Sequence, residues 1–149
     1  MERITGYAIK VTGGNYAYYR SIHRIGFSDF TFKRREHDIP VGTRVLIYVK
    51  GLKAIEDDAV VTGGFADTEG ETPYNPDYPN MLKLDFSVLP ASSRPVTLAR
   101  VREILERDTP ELATGPYQRR FPRQVDSWRP ITREDYTLLY AELLRPSER

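Results

Sequence analysis

Cysteine is absent from this chain, which excludes disulfides, thiolate nucleophiles and cysteine-bound zinc. Histidine is nearly absent too: His23 and His37 are the only two, and neither sits in a metal-ligand spacing such as H-E-x-x-H. No apolar run approaches the roughly 20 residues of a membrane span, and the first residues lack the apolar core of a signal peptide. The chain is therefore expected to be soluble and cytoplasmic, with no membrane partner and no metal or other cofactor. Net charge is also small, 22 basic residues against 21 acidic, so the chain as a whole is no general polyanion binder. Catalytic signatures are missing in the same way. Gly13-Gly14 lacks the lysine and the spacing of a phosphate loop, and no G-x-S-x-G elbow occurs. Asp57-Asp58 reads as a pair of solvated turn acids rather than a cation site. No residue is assigned a catalytic role, and an enzyme is the less favoured class.

What is present is enough for one domain, residues 1–149, with a real core. Pro40-Val41-Gly42-Thr43 is a turn signal, and Val45 to Val49 then run without a polar break, rich in β-branched and aromatic types. This predicts a strand covered on both faces, with Val45, Ile47 and Val49 on one side and Leu46 and Tyr48 on the other. Alternation predicts further strands over Ile4–Val11 and Met81–Leu89, the latter with Leu82, Leu84, Phe86 and Val88 on one face. Ala59–Ala66 is expected to be a strand bulged at Gly63-Gly64. Thr12–Asn15 is expected to be a turn, with a short helix after it ending near Gly26. Leu98, Val101, Ile104 and Leu105 mark a helix over Pro95–Arg107 capped by Thr97. A last helix follows Thr132 and Asp135, a capping-box pair, with Ile131 and Tyr136 at the staple positions. The aromatic-rich stretch from Phe27 to Phe32 is expected to be irregular, as is Pro110–Pro130.

Charge and aromatic residues are unevenly placed. Arg20, Arg24, Lys33, Arg34 and Arg35 form one basic block; Arg119, Arg120, Arg123, Arg129 and Arg133 form another, with acids clustered between. Tyr16, Tyr18, Tyr19, Phe27 and Phe30 lie in the first block, and Tyr117, Phe121 and Trp128 in the second. Rings that stack on an unpaired base beside arginines that meet phosphates are the usual equipment for a flipped or single-stranded nucleotide. The same rings would serve equally as core, so both readings stand at this point.

Three phrases resemble the EVE-domain family, a branch of the PUA-like superfamily related to YTH domains. They are Pro40–Lys50, Tyr78-Pro79-Asn80-Met81-Leu82-Lys83-Leu84, and Arg129-Pro130-Ile131-Thr132-Arg133-Glu134-Asp135-Tyr136. The resemblance implies an α+β fold: a PUA-like small curved β-barrel flanked by helices, with a pocket for a flipped, often modified, nucleobase. The pocket is expected from Thr12, Asn15, Tyr16, Tyr18, Gly26, Phe27, Ser28, Tyr48 and Trp128. Phe27, Tyr48 and Trp128 would form the cage, and Thr12, Asn15 and Ser28 would bond the base edge. Arg119, Arg120, Arg123 and Arg129 would meet phosphates. The sequence departs from the family at Ile25, which stands where tryptophan is frequent. The expected partner is DNA or RNA, with a modified base as one form of it. Two alternatives remain: an ASCH-like enzyme acting on a modified nucleoside, whose lysine–glutamate–arginine spacing is not visible here, and a protein-interaction module.

Overall fold

Val45 to Val49 do form a strand that is buried on both sides, and the sheet is built around it. In the computed structural model the elements run β1 (Ile4–Val11), α1 (Gly13–Ile22), β2 (Arg24–Phe27), β3 (Arg44–Val49), β4 (Ala54–Gly63), β5 (Asn80–Phe86), β6 (Val96–Thr97), α2 (Leu98–Asp108), β7 (Trp128–Thr132) and α3 (Arg133–Leu143). The structure describes residues 4–27, 39–68, 70–73, 76–87, 95–108 and 128–145. The strands form one sheet in the order β2-β5-β4-β3-β1-β7, with the short β6 paired to β4. Among the described strands only β1 and β3 run parallel; every other pairing is antiparallel. The architecture is the expected α+β one, a curled sheet flanked by helices.

The two faces of β3 divide the core as the alternation requires. Val45, Ile47 and Val49 join Ile9, Val11, Val61, Leu82 and Leu84 beneath Tyr19 of α1. Leu46 and Tyr48 join Val101 and Ile104 of α2 and Tyr136, Leu139 and Leu143 of α3. A strand covered by one helix below and two above can carry apolar side chains at every position, which is why this run has no polar break. The turn before β3 closes through Thr43 N–H to the Pro40 carbonyl at 3.1 Å, and Gly42 takes φ +94° there. That angle at the third position of a turn favours glycine strongly.

Several helix and strand limits follow from caps. The Thr97 hydroxyl accepts from Arg100 N–H at 3.2 Å, so Thr97 caps α2 as expected. The α3 staple residues Ile131 and Tyr136 are both buried in the same cluster, while the Thr132 side chain is outside the described part. Other limits differ from the sequence reading. α1 starts within Thr12–Asn15, at Gly13, and ends at Ile22, where His23 takes the left-handed conformation. Arg24–Phe27 is a strand, not the end of a helix, and pairs with β5 from Arg24↔Lys83 to Phe27↔Asn80. β4 begins at Ala54, earlier than the apolar pattern shows, though its bulge falls at Val61/Gly63 as anticipated. Trp128–Thr132, whose first residues were expected to be irregular, is strand β7. Residues 28–38 and 109–127 lie outside the described residues. Among the described residues no helix is long and apolar enough to cross a membrane.

Candidate nucleic-acid interface

β1 and β3 leave the sheet side by side. Because they are parallel and Val11 pairs with Val49, Thr12 and Lys50 emerge from the same end on neighbouring strands, about 4.8 Å apart in the pairing direction. On the other flank of β1, Trp128 pairs with Ile9 and Arg129 with Ala8, which brings the start of β7 to this same end. Residues from opposite ends of the chain therefore meet where α1 begins. Thr12 is the N-cap of α1, without a side-chain capping bond, and no acid occupies the first turn. The helix thus offers its positive end to whatever sits there. Asn15 and Tyr18 follow three residues apart on one side of α1, and Tyr18 is 43 % exposed.

The expected pocket residues do not all share this place. Gly26 and Phe27 are buried in β2; Phe27 packs edge-to-face on Phe65 at 5.7 Å between ring centres. Tyr48 is buried on the opposite side of the sheet, among α2 and α3 residues. Phe27 and Tyr48 consequently cannot be two walls of one cage, because a covered sheet lies between them. Gly26 has a steric role instead: a Cβ there would lie 2.5 Å from the Tyr78 carbonyl oxygen and 2.8 Å from Tyr19 Oη. Ser28, Arg119, Arg120 and Arg123 lie outside the described residues, and Trp128 and Arg129 are described through their backbone alone. Thr12, Asn15, Tyr16, Tyr18 and Trp128 are the expected residues that the fold gathers around α1 and its neighbouring strand.

The feature missed by sequence reasoning is the pair Asp57-Asp58. These acids are 1 % and 0 % exposed, in the middle of β4. The register shows why they separate. Ile47 pairs with Asp57 but Tyr48 pairs with Ile55, so Glu56 is an extra residue bulged out of the ladder. Alternation sets Asp57 on the α1 face and Asp58 on the α3 face, and the bulge is what moves Asp57 off the face that Ile55 occupies. On the first face Asp57 Oδ2 accepts from Tyr16 Oη at 2.9 Å and from Arg20 Nε at 2.6 Å, while its Oδ1 accepts from the Asp58 N–H at 3.0 Å. On the second face Asp58 Oδ2 accepts from Arg44 Nη2 at 2.9 Å and Ser87 Oγ at 2.7 Å, and its Oδ1 accepts from Tyr136 Oη. Arg44 Nε also donates to Tyr136 Oη at 2.8 Å, and its guanidinium lies over the Tyr136 and Tyr140 rings.

Buried carboxylates persist only when paired and well bonded, and both are. Burial and then the Asp57 charge push Tyr16 well above the ordinary tyrosine value; burial and the bond to Asp58 do the same to Tyr136. Burial works against the charge on Arg44, but its bond to Tyr136 and the Asp58 carboxylate more than offset that and raise it. Glu56 is raised by burial and by its neighbour Asp57. The arrangement is a pair of clamps. One ties α1 to the sheet through Tyr16 and Arg20, which fixes where Thr12 and Asn15 stand; the other ties α3 to it. The sequence signal that was available is the setting of Asp57-Asp58 between Ile55 and Ala59-Val60-Val61, apolar residues that continue through the acids as one strand. Arg20 and Arg24, read as part of a basic face, are in fact occupied by Asp57 and Glu71. Among the described residues, no three metal-ligating side chains come together.

No family model and no curated relative matches the sequence. Solved structures do match the fold. An ASCH protein from Zymomonas mobilis aligns at 16 % identity and TM-score 0.54, over 92 % of this chain and 94 % of that one. The Pho92 YTH domain in complex with m6A aligns at 7 % identity and TM-score 0.61, over 99 % and 89 %. The YTH domain-containing protein mmi1, solved as an RNA complex, aligns at 7 % identity and TM-score 0.54, over 93 % and 81 %. At these identities the likeness is one of fold: the chain has the α+β architecture shared by ASCH and YTH domains.

Proposed function

We propose that this chain is a nucleic-acid-binding domain that takes one unstacked, modified or unmodified, base at the end of the sheet where β1 passes into α1. Trp128 and Tyr18 supply stacking surface, Thr12 and Asn15 meet the base edge, and Tyr16 holds α1 in place through Asp57. Arg119, Arg120, Arg123 and Arg129 are retained as phosphate contacts. The observation that supports this most is the likeness, over nearly the whole chain, to YTH domains solved with RNA and with m6A. Single-stranded RNA is accordingly the first ligand to test, with DNA as the second. The phrases Pro40–Lys50 and Arg129–Tyr136 favour the EVE branch of this fold, and the cytoplasm is retained as its compartment.

Trp128 is the only tryptophan, so its fluorescence reports the site directly. Titration with labelled single-stranded RNA and DNA, with and without N6-methyladenine, is expected to quench it and to give saturable anisotropy. Base–aromatic stacking contributes about 1–3 kcal/mol, so Trp128→Ala should weaken binding by about 5- to 150-fold while the circular dichroism spectrum is kept. Unchanged affinity in that variant removes Trp128 from the site. Turnover of a nucleoside would favour the ASCH-like enzyme, and binding to no oligonucleotide would end the proposal.

A further inference from the structure

Arginine side chains in the described part are mostly engaged with acids. Arg20 pairs with Asp57, Arg24 with Glu71, Arg44 with Asp58, and Arg100 and Arg145 with Glu142. They cannot act as ready phosphate contacts without giving up those partners. Two cations at the proposed site are placed differently. Lys50 and Lys53 stand on the exposed turn between β3 and β4, and among the described residues neither side chain meets a carboxylate. The turn is well defined: Lys50–Leu52 is a 3-10 turn, Lys53 takes φ 51°, and its N–H donates to the Lys50 carbonyl at 3.2 Å. The Lys53 carbonyl in turn accepts from Leu98 N–H at 3.0 Å, which fastens the turn to the start of α2. Between the lysines Leu52 is 57 % exposed, one of few large apolar side chains so open among the described residues.

The geometry points to this Lys50–Lys53 turn as a second contact surface for the same nucleic acid, gripping the phosphodiester next to the bound base while Leu52 packs on its sugar or neighbouring base. The inference rests on the base-binding reading above. Its physical ground is the parallel pairing of β1 and β3. Val11↔Val49 puts Lys50 beside Thr12, and Ile9↔Trp128 puts Trp128 on the other flank of β1. A strand whose base lies between α1 and Trp128 can lay its backbone over the turn. An ammonium on a flexible stem suits a phosphate as a point charge and demands no fixed orientation. The role differs from that of Arg119, Arg120 and Arg123, which come from another part of the chain.

The test is the salt dependence of binding to single-stranded RNA and DNA oligonucleotides by the whole 149-residue chain. Each phosphate neutralised on a single strand contributes about 0.7 to the slope of log K against log salt. The double variant Lys50→Gln, Lys53→Gln is expected to lower the slope by about 1.4. Its loss of affinity between about 50 and 200 mM salt then shrinks about sevenfold relative to wild type. Its preference between modified and unmodified oligonucleotide should not change, whereas Trp128→Ala should lower affinity with the slope intact. Arg133→Gln serves as the control: it is exposed but follows Thr132, which pairs with Ile4 at the far end of β1, and should leave the slope as it is. A wild-type slope in the lysine variant, with binding retained, overturns the turn assignment alone. An equal fall in slope from Arg133→Gln also overturns it, since the effect would then be one of general charge. Absence of oligonucleotide binding by the wild-type protein overturns both readings.

Discussion

Arg44→Met and Asp58→Asn remove the same ion pair from opposite sides, and the structure dictates that they cost different amounts. Asp58 is fully buried, whereas the Arg44 side chain is 46 % exposed. Arg44→Met leaves the carboxylate in the interior with only the neutral donors Ser87 Oγ and Tyr136 Oη. Removing one partner of a buried pair costs about 3–5 kcal/mol, and the low end, about 3 kcal/mol, applies because water reaches the vacated guanidinium position. Asp58→Asn keeps the shape and one acceptor oxygen, and the released arginine can turn to solvent. The loss is then mainly one charge-assisted hydrogen bond, about 1.5 kcal/mol. The double variant should fall short of the sum by about 1 kcal/mol or more, as contacting residues do. Equilibrium urea denaturation measures all three, and for a chain of this size about 3 kcal/mol corresponds to a melting-temperature shift of roughly 6–12 °C. Asp58→Asn destabilising more than Arg44→Met, or a strictly additive double variant, would refute the reasoning that the buried carboxylate is the stranded charge.

Two further stability predictions rest on packing and on titration. Gly26→Ala sets a Cβ against the Tyr78 carbonyl and Tyr19 Oη, and overpacking of this kind costs about 1–3 kcal/mol by thermal denaturation. Gly14→Ala meets nothing within 4 Å on α1 and should be neutral or stabilising by up to about 1 kcal/mol. Tyr16 and Tyr136 are raised above the ordinary value of 10.0 in the folded chain, so folding favours their protonated forms. Their stabilising contribution is complete below about pH 10 and is lost as pH rises past it toward their folded values. Ultraviolet titration of tyrosinate should show Tyr16 and Tyr136 among the groups that ionise late, together with unfolding, and Tyr16→Phe or Tyr136→Phe should each remove one late-ionising group.

Local pattern carried a large share of the fold. Val45–Val49 declared both faces of β3, because a strand between one helix and a helix pair needs no polar side. Thr97 and the Ile131–Tyr136 staple marked helix starts, since caps and staples involve residues only a few positions apart. Where the reading failed, distant partners decided the outcome. Asp57 and Asp58 looked like solvent-facing acids and concealed the first half of β4. They are interior because Tyr16 and Arg20 reach one of them and Tyr136 reaches the other from far along the chain. β2 escaped notice because it runs only from Arg24 to Phe27 and its strand character comes from pairing with β5.

The sequence by itself determined an α+β fold, its apolar central strand, and where its aromatic and basic residues cluster along the chain. Those are consequences of residue type and spacing, which act over a turn or a strand. The tertiary structure alone decided that Phe27 and Tyr48 lie on opposite sides of the sheet. It also decided that Arg20 and Arg24 are engaged by acids, and that Thr12, Lys50 and the start of β7 share one end. Strand register and the one-residue bulge at Glu56 set those outcomes, and a shift of one residue in either would exchange the faces of every side chain beyond it.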